Sequence, residues 1–234
     1  MKIIPLVPGV YQLSFGFVNA FLIDDGGLTL IDTGVVGSAP AIFQALGEIS
    51  RRPDEIRQVI LTHLHADHVG SARAVKEASG AKVYMHPLDT QDYQQGRWMR
   101  PRPEAHGLIN RLVVGALSGQ DKLMTTETTL IDGELNDGQT LPFTGGLQVI
   151  YTPGHTAGHV VLLWPKEGNV LFGGDACGNF FSLKPSMLYE DFSEGMRSLA
   201  KIASLKFDTA CLSHGRVIHG RADEKFRQKW ELTN

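Results

Sequence analysis

Thr62-His63-Leu64-His65-Ala66-Asp67-His68 places three imidazoles and a carboxylate within six consecutive positions, directly after the strand-like run Gln58 to Leu61. Ligand-type side chains at that density read as a metal site rather than a solvated turn, because isolated His and Asp residues recur later inside Gly-bearing breaks. These are His155 in Thr152-Pro153-Gly154-His155-Thr156, Asp175 in Gly173-Gly174-Asp175, and His214 in Ser213-His214-Gly215. Imidazole nitrogen and carboxylate oxygen are zinc donors. A loop leaving a strand aims alternate side chains at one point, so His63 and His65 share a parity, while Asp67 and His68 turn toward a second point. Two metal ions are therefore expected. Paired ions need one ligand that serves both, and a carboxylate has two oxygens for the purpose; Asp175 is the bridge this predicts. A structural zinc is usually closed by a full ligand set, often Cys. An excess of nitrogen and oxygen ligands without a Cys pair points instead to catalysis.

The 234 residues carry no Pro/Ser/Gly-rich linker, which predicts one domain over 1–234. Apolar residues at 42% and charged residues at 20% describe an ordinary globular chain. A formal charge of −3 argues against a general nucleic-acid grip, which needs a basic face. The amino terminus, interrupted by Pro5 and Pro8, does not read as a signal peptide. No run approaches the roughly 18 apolar residues of a membrane span, so the expectation is a cytoplasmic protein without a membrane partner. Cys177 and Cys211 do not make a disulfide framework. Cys211 reads as a buried thiol, and Cys177 as either packing or site lining.

Period-2 runs bounded by turn residues predict strands at Val10–Ser14, Ala20–Asp24 and Leu28–Asp32, with Asp25-Gly26-Gly27 as a hairpin turn. Helical periodicity covers Ser38–Ser50 and Ser71–Ser79, the latter closed by Gly80. Strands follow at Gln58–Thr62 and Lys82–His86. Residues 88–129 loosen into a polar, Arg- and Pro-bearing stretch with an apolar stripe from Leu108 to Leu117, read as an insertion. Strands return at Gln148–Tyr151, His159–Trp164 and Asn169–Phe172, then a final helix at Ser193–Leu205 and a last strand at Asp208–Leu212. The same order in both halves suggests a two-sheet core covered by helices on both outer faces. His86, His106, His159 and His219 read as packing histidines.

His63-x-His65-x-Asp67-His68 followed in order by His155, Asp175 and His214 resembles the metallo-β-lactamase superfamily, and Leu30-Ile31-Asp32-Thr33-Gly34 is similar to its first motif. The resemblance implies an α/β fold, a four-layer αββα sandwich of two mixed β-sheets with helices on both outer faces. It also implies a partition: His63, His65 and His155 hold one metal, Asp67, His68 and His214 the other, Asp175 bridges, and Asp32 supports an imidazole from behind. Two Zn2+ are the expected cofactors, with Fe or Mn as alternatives. Paired divalent ions lower the pKa of a bridging water toward neutrality, so Asp67 and Asp175 are the expected catalytic carboxylates, Asp67 orienting the nucleophile. The chain is thus expected to hydrolyse a thioester, ester or lactone carbonyl.

Among the branches, the motifs are shared by glyoxalase II-like thioesterases and acyl-homoserine lactonases. The first usually has a longer carboxy-terminal helical region than the residues after His214 supply. The second usually carries a Tyr where Gly178 stands. A mononuclear iron persulfide dioxygenase is an alternative of another class, although that group usually has Cys where His159 stands. The 88–129 insertion is expected to decide a small-molecule acyl substrate, since loops on a rigid scaffold carry specificity. Trp98 and Met99 are candidates to receive an acyl chain, and Arg97, Arg100 or Arg102 to pair with a carboxylate. Phe180 and Phe181 are candidates for an apolar wall. The stripe Leu108–Leu117 reads as core or a dimer face, which leaves a homodimer open.

Overall fold

The computed structural model describes residues 1–100, 104–105 and 127–231. Two sheets form the middle of the molecule. The first has seven strands in spatial order Lys2–Val7, Val10–Ser14, Asn19–Asp24, Leu28–Ile31, Ile56–Ile60, Lys82–Met85 and Gly133–Glu134. Its first four strands are an antiparallel meander, and from Leu28–Ile31 onward the pairings are parallel. The second has five strands, ordered Thr209–Cys211, Val170–Phe172, Val160–Trp164, Leu147–Tyr151 and Thr140–Leu141, antiparallel except for the pairing of Val170–Phe172 with Thr209–Cys211.

The layering follows from side-chain alternation along the strands. In Asn19–Asp24, Ala20 and Leu22 face outward to meet Ile42, Ala45 and Leu46 of the helix Ala39–Glu48 and Ala72 and Val75 of the helix Ala72–Ser79. Phe21 and Ile23 of the same strand face inward and join Ile31 and Ile60 against Val149, Val160, Leu162, Val170 and Phe172 of the second sheet. On the far side of that sheet, Ile150, Val161 and Leu171 pack under Leu199 and Ile202 of the helix Phe192–Ala203 and Phe226 of the helix Ala222–Trp230. Three apolar layers separate four layers of structure. Full burial of each Leu, Ile or Phe contributes about 1.5–3 kcal/mol.

Several expectations are corrected. Lys2–Val7 is a strand despite Pro5, because it lies at the sheet edge, where a missing backbone donor costs little. Leu28–Ile31 ends one residue before Asp32, whose φ of 61° takes it out of the strand. Ala66–Val69, inside the ligand-rich loop, is a short helix. The stretch beginning at Leu88 does not open as loose insertion: Pro87–Gln94 is a helix, capped by the His86 side chain accepting from Leu88 N–H, with Asp89 and Tyr93 buried. Phe192–Ala203 is not the last helix, since Ala222–Trp230 follows it. Arg102, His106 and the stripe Leu108–Leu117 lie outside the described residues.

Candidate metal centre

Strand ends and connecting loops of both sheets converge on one point. Leu28–Ile31 and Ile56–Ile60 run parallel with Ile31 opposite Ile60, so their carboxyl ends deliver Asp32 and the Thr62–His68 loop side by side. Val170–Phe172 and Thr209–Cys211 are likewise parallel, with Phe172 opposite Cys211, and deliver Asp175 and His214. The connection between Leu147–Tyr151 and Val160–Trp164 supplies His155. Asn19 fastens the sheets together here, its side-chain N–H donating to Leu212 O at 3.2 Å and Gly215 O at 3.1 Å.

The ligand-type atoms fall into two groups, His63, His65, His155 and Asp175, and Asp67, His68 and His214, each with its atoms within 4.8 Å of one another. His155 Nε2 lies 3.3 Å from His63 Nε2 and 2.9 Å from His65 Nδ1. Asp175 reaches both groups. Its Oδ2 is 3.4 Å from His155 Nε2 and 3.2 Å from His214 Nε2, and its Oδ1 is 3.4 Å from His68 Nε2. His68 Nε2 and Asp175 Oδ1 are fully buried and make no hydrogen bond. Buried polar atoms are almost always satisfied. Two orphans facing each other inside a cluster of nitrogen and oxygen donors are what a cation-binding site leaves when only the protein's own atoms are counted. The residues present fit a metal pair.

The other faces of the rings fix which nitrogen is offered. His68 Nδ1 lies 2.8 Å from Asp32 Oδ2, His155 Nδ1 2.8 Å from Leu188 O, and His214 Nδ1 2.8 Å from Phe17 O. Each acceptor requires the proton on Nδ1, which leaves Nε2 bare for a cation. Thr62 completes the pattern. Its hydroxyl donates to Asp32 Oδ2 at 2.8 Å, so it receives the proton of His63 Nδ1 at 3.0 Å. Asp32, only 2% exposed, also accepts from Thr62 N–H at 2.8 Å.

Electrostatics separates the two groups. Burial, together with the neighbouring His68 and His155 rings, holds His63 well below the ordinary imidazole range, and burial with His155 does the same for His65. Burial also lowers His155. At His68 and His214 burial acts in the same sense but is outweighed by Asp175 and Asp67; His68 lies well above its ordinary value and His214 at about 10. Burial would raise Asp67, yet His68 and His214 bring it down to about 2. A metal-bound imidazole must be neutral. With His68 and His214 both raised, the metal-free second group therefore holds protons near neutral pH that the loaded group cannot. Zinc binding at pH 8 should release about one to two protons per chain, with affinity rising as pH rises. Calorimetric titration in buffers of different ionisation enthalpy reads this directly, and heats independent of the buffer would refute it.

His159, read from the sequence as a packing residue, belongs to the site's scaffold. Its Nδ1 lies 2.9 Å from Thr152 Oγ1, and its Nε2 accepts from the Asp175 backbone N–H at 3.1 Å. Burial brings it down to about 3, keeping that nitrogen free to accept. Gly174 lets the turn pass: its φ is +48°, and a Cβ there would stand 2.7 Å from His159 Nε2. Phe17 carries no ligand-type signal in the sequence; it stacks on His214 at 6.2 Å between ring centroids, from the turn after Val10–Ser14. An aromatic between turn residues, as in Phe15-Gly16-Phe17, was the available signal.

The residues expected to meet substrate divide. Phe180 is beside His214 at 6.3 Å, whereas the Phe181 side chain is fully in solvent and forms no wall. Trp98 and Met99 are half-buried on the segment after Pro87–Gln94. Arg97, on the surface, is engaged by Asp92. Arg100 turns inward to Asp89, Asp92 and Glu190, so its charge is already spent on the protein's own carboxylates. Cys177 is buried and its thiol is pushed up by burial.

The family model described as the metallo-beta-lactamase superfamily matches residues 13–214. The chain belongs to that superfamily. A probable metallo-hydrolase of Bacillus subtilis, YflN, is 26% identical over 91% of this chain and 86% of its own length. A hydroxyacylglutathione hydrolase of Pseudomonas aeruginosa is 28% identical over 69% of this chain, and the matched region spans only 48% of that protein. Among solved structures, MEM-A1, a subclass B3 metallo-β-lactamase from a soil metagenome library, superposes with a TM-score of 0.75 over 98% of this chain and 92% of its own; at 19% identity the likeness concerns the fold alone. With its two His/Asp ligand groups, the chain is a metal-dependent hydrolase of the metallo-β-lactamase superfamily.

Proposed function

We propose that the chain is a dizinc hydrolase of small acyl substrates that cleaves a thioester in the manner of glyoxalase II, with esters and lactones as the neighbouring chemistry. The observation that carries this reading is the reach of Asp175 into both ligand groups, because a carboxylate so placed would serve two cations at once, the arrangement that metal-pair hydrolysis needs. When bound, such a pair supplies Lewis acidity and a water acidic enough to attack a carbonyl near neutral pH. Imidazole nitrogens and carboxylate oxygens, with no sulfur in either group, are a donor set that zinc takes in open catalytic sites.

The protein's own residues supply orientation. Asp67 is the more accessible carboxylate of the cluster, with its side chain 24% exposed, and its Oδ2 stands 3.4 Å from His214 Nε2. An oxygen held there is placed to accept a hydrogen bond from the attacking water. Phe17 and Phe180, both more than 40% exposed beside His214, offer apolar surface to the acyl part of a substrate. The Pseudomonas relative, by its name, acts on a hydroxyacylglutathione.

The test is kcat/KM of the zinc-loaded protein for S-lactoylglutathione and for a long-chain acyl-homoserine lactone, side by side. A value above about 10⁴ M⁻¹s⁻¹ for the thioester, within the ordinary enzyme range, supports the proposal. The same value for the lactone alone moves the chain to the lactonase branch. Feeble activity on both, with one iron per chain and oxygen uptake, would replace hydrolysis by the dioxygenase reading.

A further inference from the structure

Asp89 is wholly buried, 0% exposed, in the first turn of Pro87–Gln94. It is not a ligand, and nothing in its local sequence, His86-Pro87-Leu88-Asp89, marks it for function. Yet its two oxygens receive four donors from three separate parts of the chain. Oδ2 accepts from Leu64 N–H at 3.1 Å and from the Thr156 hydroxyl at 2.6 Å. Oδ1 accepts from Gly158 N–H at 2.8 Å and from Arg100 Nη1 at 3.0 Å. Leu64 lies between the ligands His63 and His65, and Thr156 follows the ligand His155. Gly158 is shaped for this contact, since a Cβ there would stand 2.5 Å from Asp89 Cγ.

We propose that Asp89 is the positioning residue of the first metal group: one buried carboxylate ties the loop carrying His63 and His65 to the loop carrying His155, and so sets the spacing of three imidazoles that come from different sheets. The second group receives no such tie from it, because none of its four donors flanks Asp67, His68 or His214. The selectivity follows from where the donors sit. A residue with a merely structural role would loosen both groups alike.

Asn is the informative replacement. All four contacts are donors, so an amide in either orientation turns its NH2 toward two of them. With NH2 on the Oδ1 side both partners, Gly158 N–H and Arg100, are donors that cannot accept, so the amide turns the other way, where the Thr156 hydroxyl can rotate to accept and Leu64 N–H is left facing a donor. The loop between His63 and His65 then loses its anchor while the volume of the side chain is kept.

The experiment measures zinc affinity by chelator competition, without substrate, in two backgrounds. His214→Ala leaves the first group intact and His155→Ala leaves the second. Asp89→Asn is expected to weaken zinc binding about 10–100-fold in the first background, the range for partners that support ligands from behind, and less than about 3-fold in the second. Equal losses in both backgrounds, or no loss in either, overturn the proposal. Should Asp89→Asn fail to fold, Thr156→Val removes one donor at nearly constant volume, and a loss of zinc affinity confined to the first group is expected on the same grounds; equal losses in both backgrounds, or none, again overturn the proposal. The inference rests on the metal-centre reading but not on the substrate class. A failed thioester assay leaves it untouched, and a parent chain that binds no zinc fails that reading before any Asp89 variant is compared.

Discussion

Asp175→Asn is expected to lower kcat/KM by about 10³-fold or more, roughly 4 kcal/mol of transition-state stabilisation at 1.36 kcal/mol per decade, and to reduce bound zinc from about two ions per chain to about one. The substitution keeps size and shape and changes only charge and donor character. Asp175 Oδ1 faces His68 Nε2, while Oδ2 faces His155 Nε2 and His214 Nε2. Whichever way an amide is turned, its NH2 points at a ring nitrogen whose lone pair a cation needs, and an NH2 group does not coordinate. The backbone is not disturbed, because the Asp175 N–H contact to His159 Nε2 survives the change. Loss of the negative charge also removes the chief opponent of burial at His214, which stands at about 10 with the carboxylate in place. Its value should fall, an effect visible in the metal-free protein by NMR titration. Metal analysis after dialysis, paired with kinetics, decides the matter: two zinc ions retained with activity within tenfold of the parent would show that Asp175 does not serve both groups.

The candidate ligand cluster was legible in the sequence because metal binding concentrates rare side chains where the chain turns. His63 to His68 announce themselves by density, and His155, Asp175 and His214 by their place in Gly-bearing breaks. The two-sheet core was legible because strands such as Asn19–Asp24 present two different buried faces in strict alternation, one under helices and one against the other sheet. What escaped lacks a repeating signal. Lys2–Val7 hides behind Pro5, tolerated at an edge. Ala222–Trp230 shows only Ala222, Phe226 and Trp230 as an apolar stripe amid charged residues. Gly133–Glu134 and Thr140–Leu141 are too short to carry a period. Asp89 and His159 are single residues whose importance arises from partners far away in sequence: Leu64, Thr156 and Gly158 for the one, Thr152 and Asp175 for the other. Arg100 misled for the same reason. A basic residue in a polar stretch reads as free to meet a ligand, and only the fold shows three carboxylates around it.

Asp32 offers the sharper dissection, because two substitutions there should fail in different ways. The residue sits at φ 61°, in the left-handed region that Asp and Asn tolerate better than other side chains. Its carboxylate collects Thr62 N–H, the Thr62 hydroxyl and His68 Nδ1–H. Asp32→Asn keeps the backbone preference and one acceptor. If that acceptor stays with Thr62 N–H, the new NH2 faces His68 Nδ1, which can satisfy it only by giving up its proton. The imidazole then carries its proton on Nε2, the nitrogen turned toward Asp175, and the second group loses a ligand through a change of tautomer with no change of place. Zinc affinity of that group should fall about 10–100-fold, and the metal-free fold should lose some stability with the charge beside His68, though less than with alanine. Asp32→Ala suffers the same loss of orientation and in addition strands Thr62 N–H in the core, at about 1–3 kcal/mol for an unsatisfied buried donor, with further strain from an alanine at positive φ. Urea unfolding of the metal-free proteins should therefore separate Ala from Asn, and zinc titration should group them together. An Asn variant that binds two zinc ions as tightly as the parent would mean that His68 is oriented by something other than Asp32.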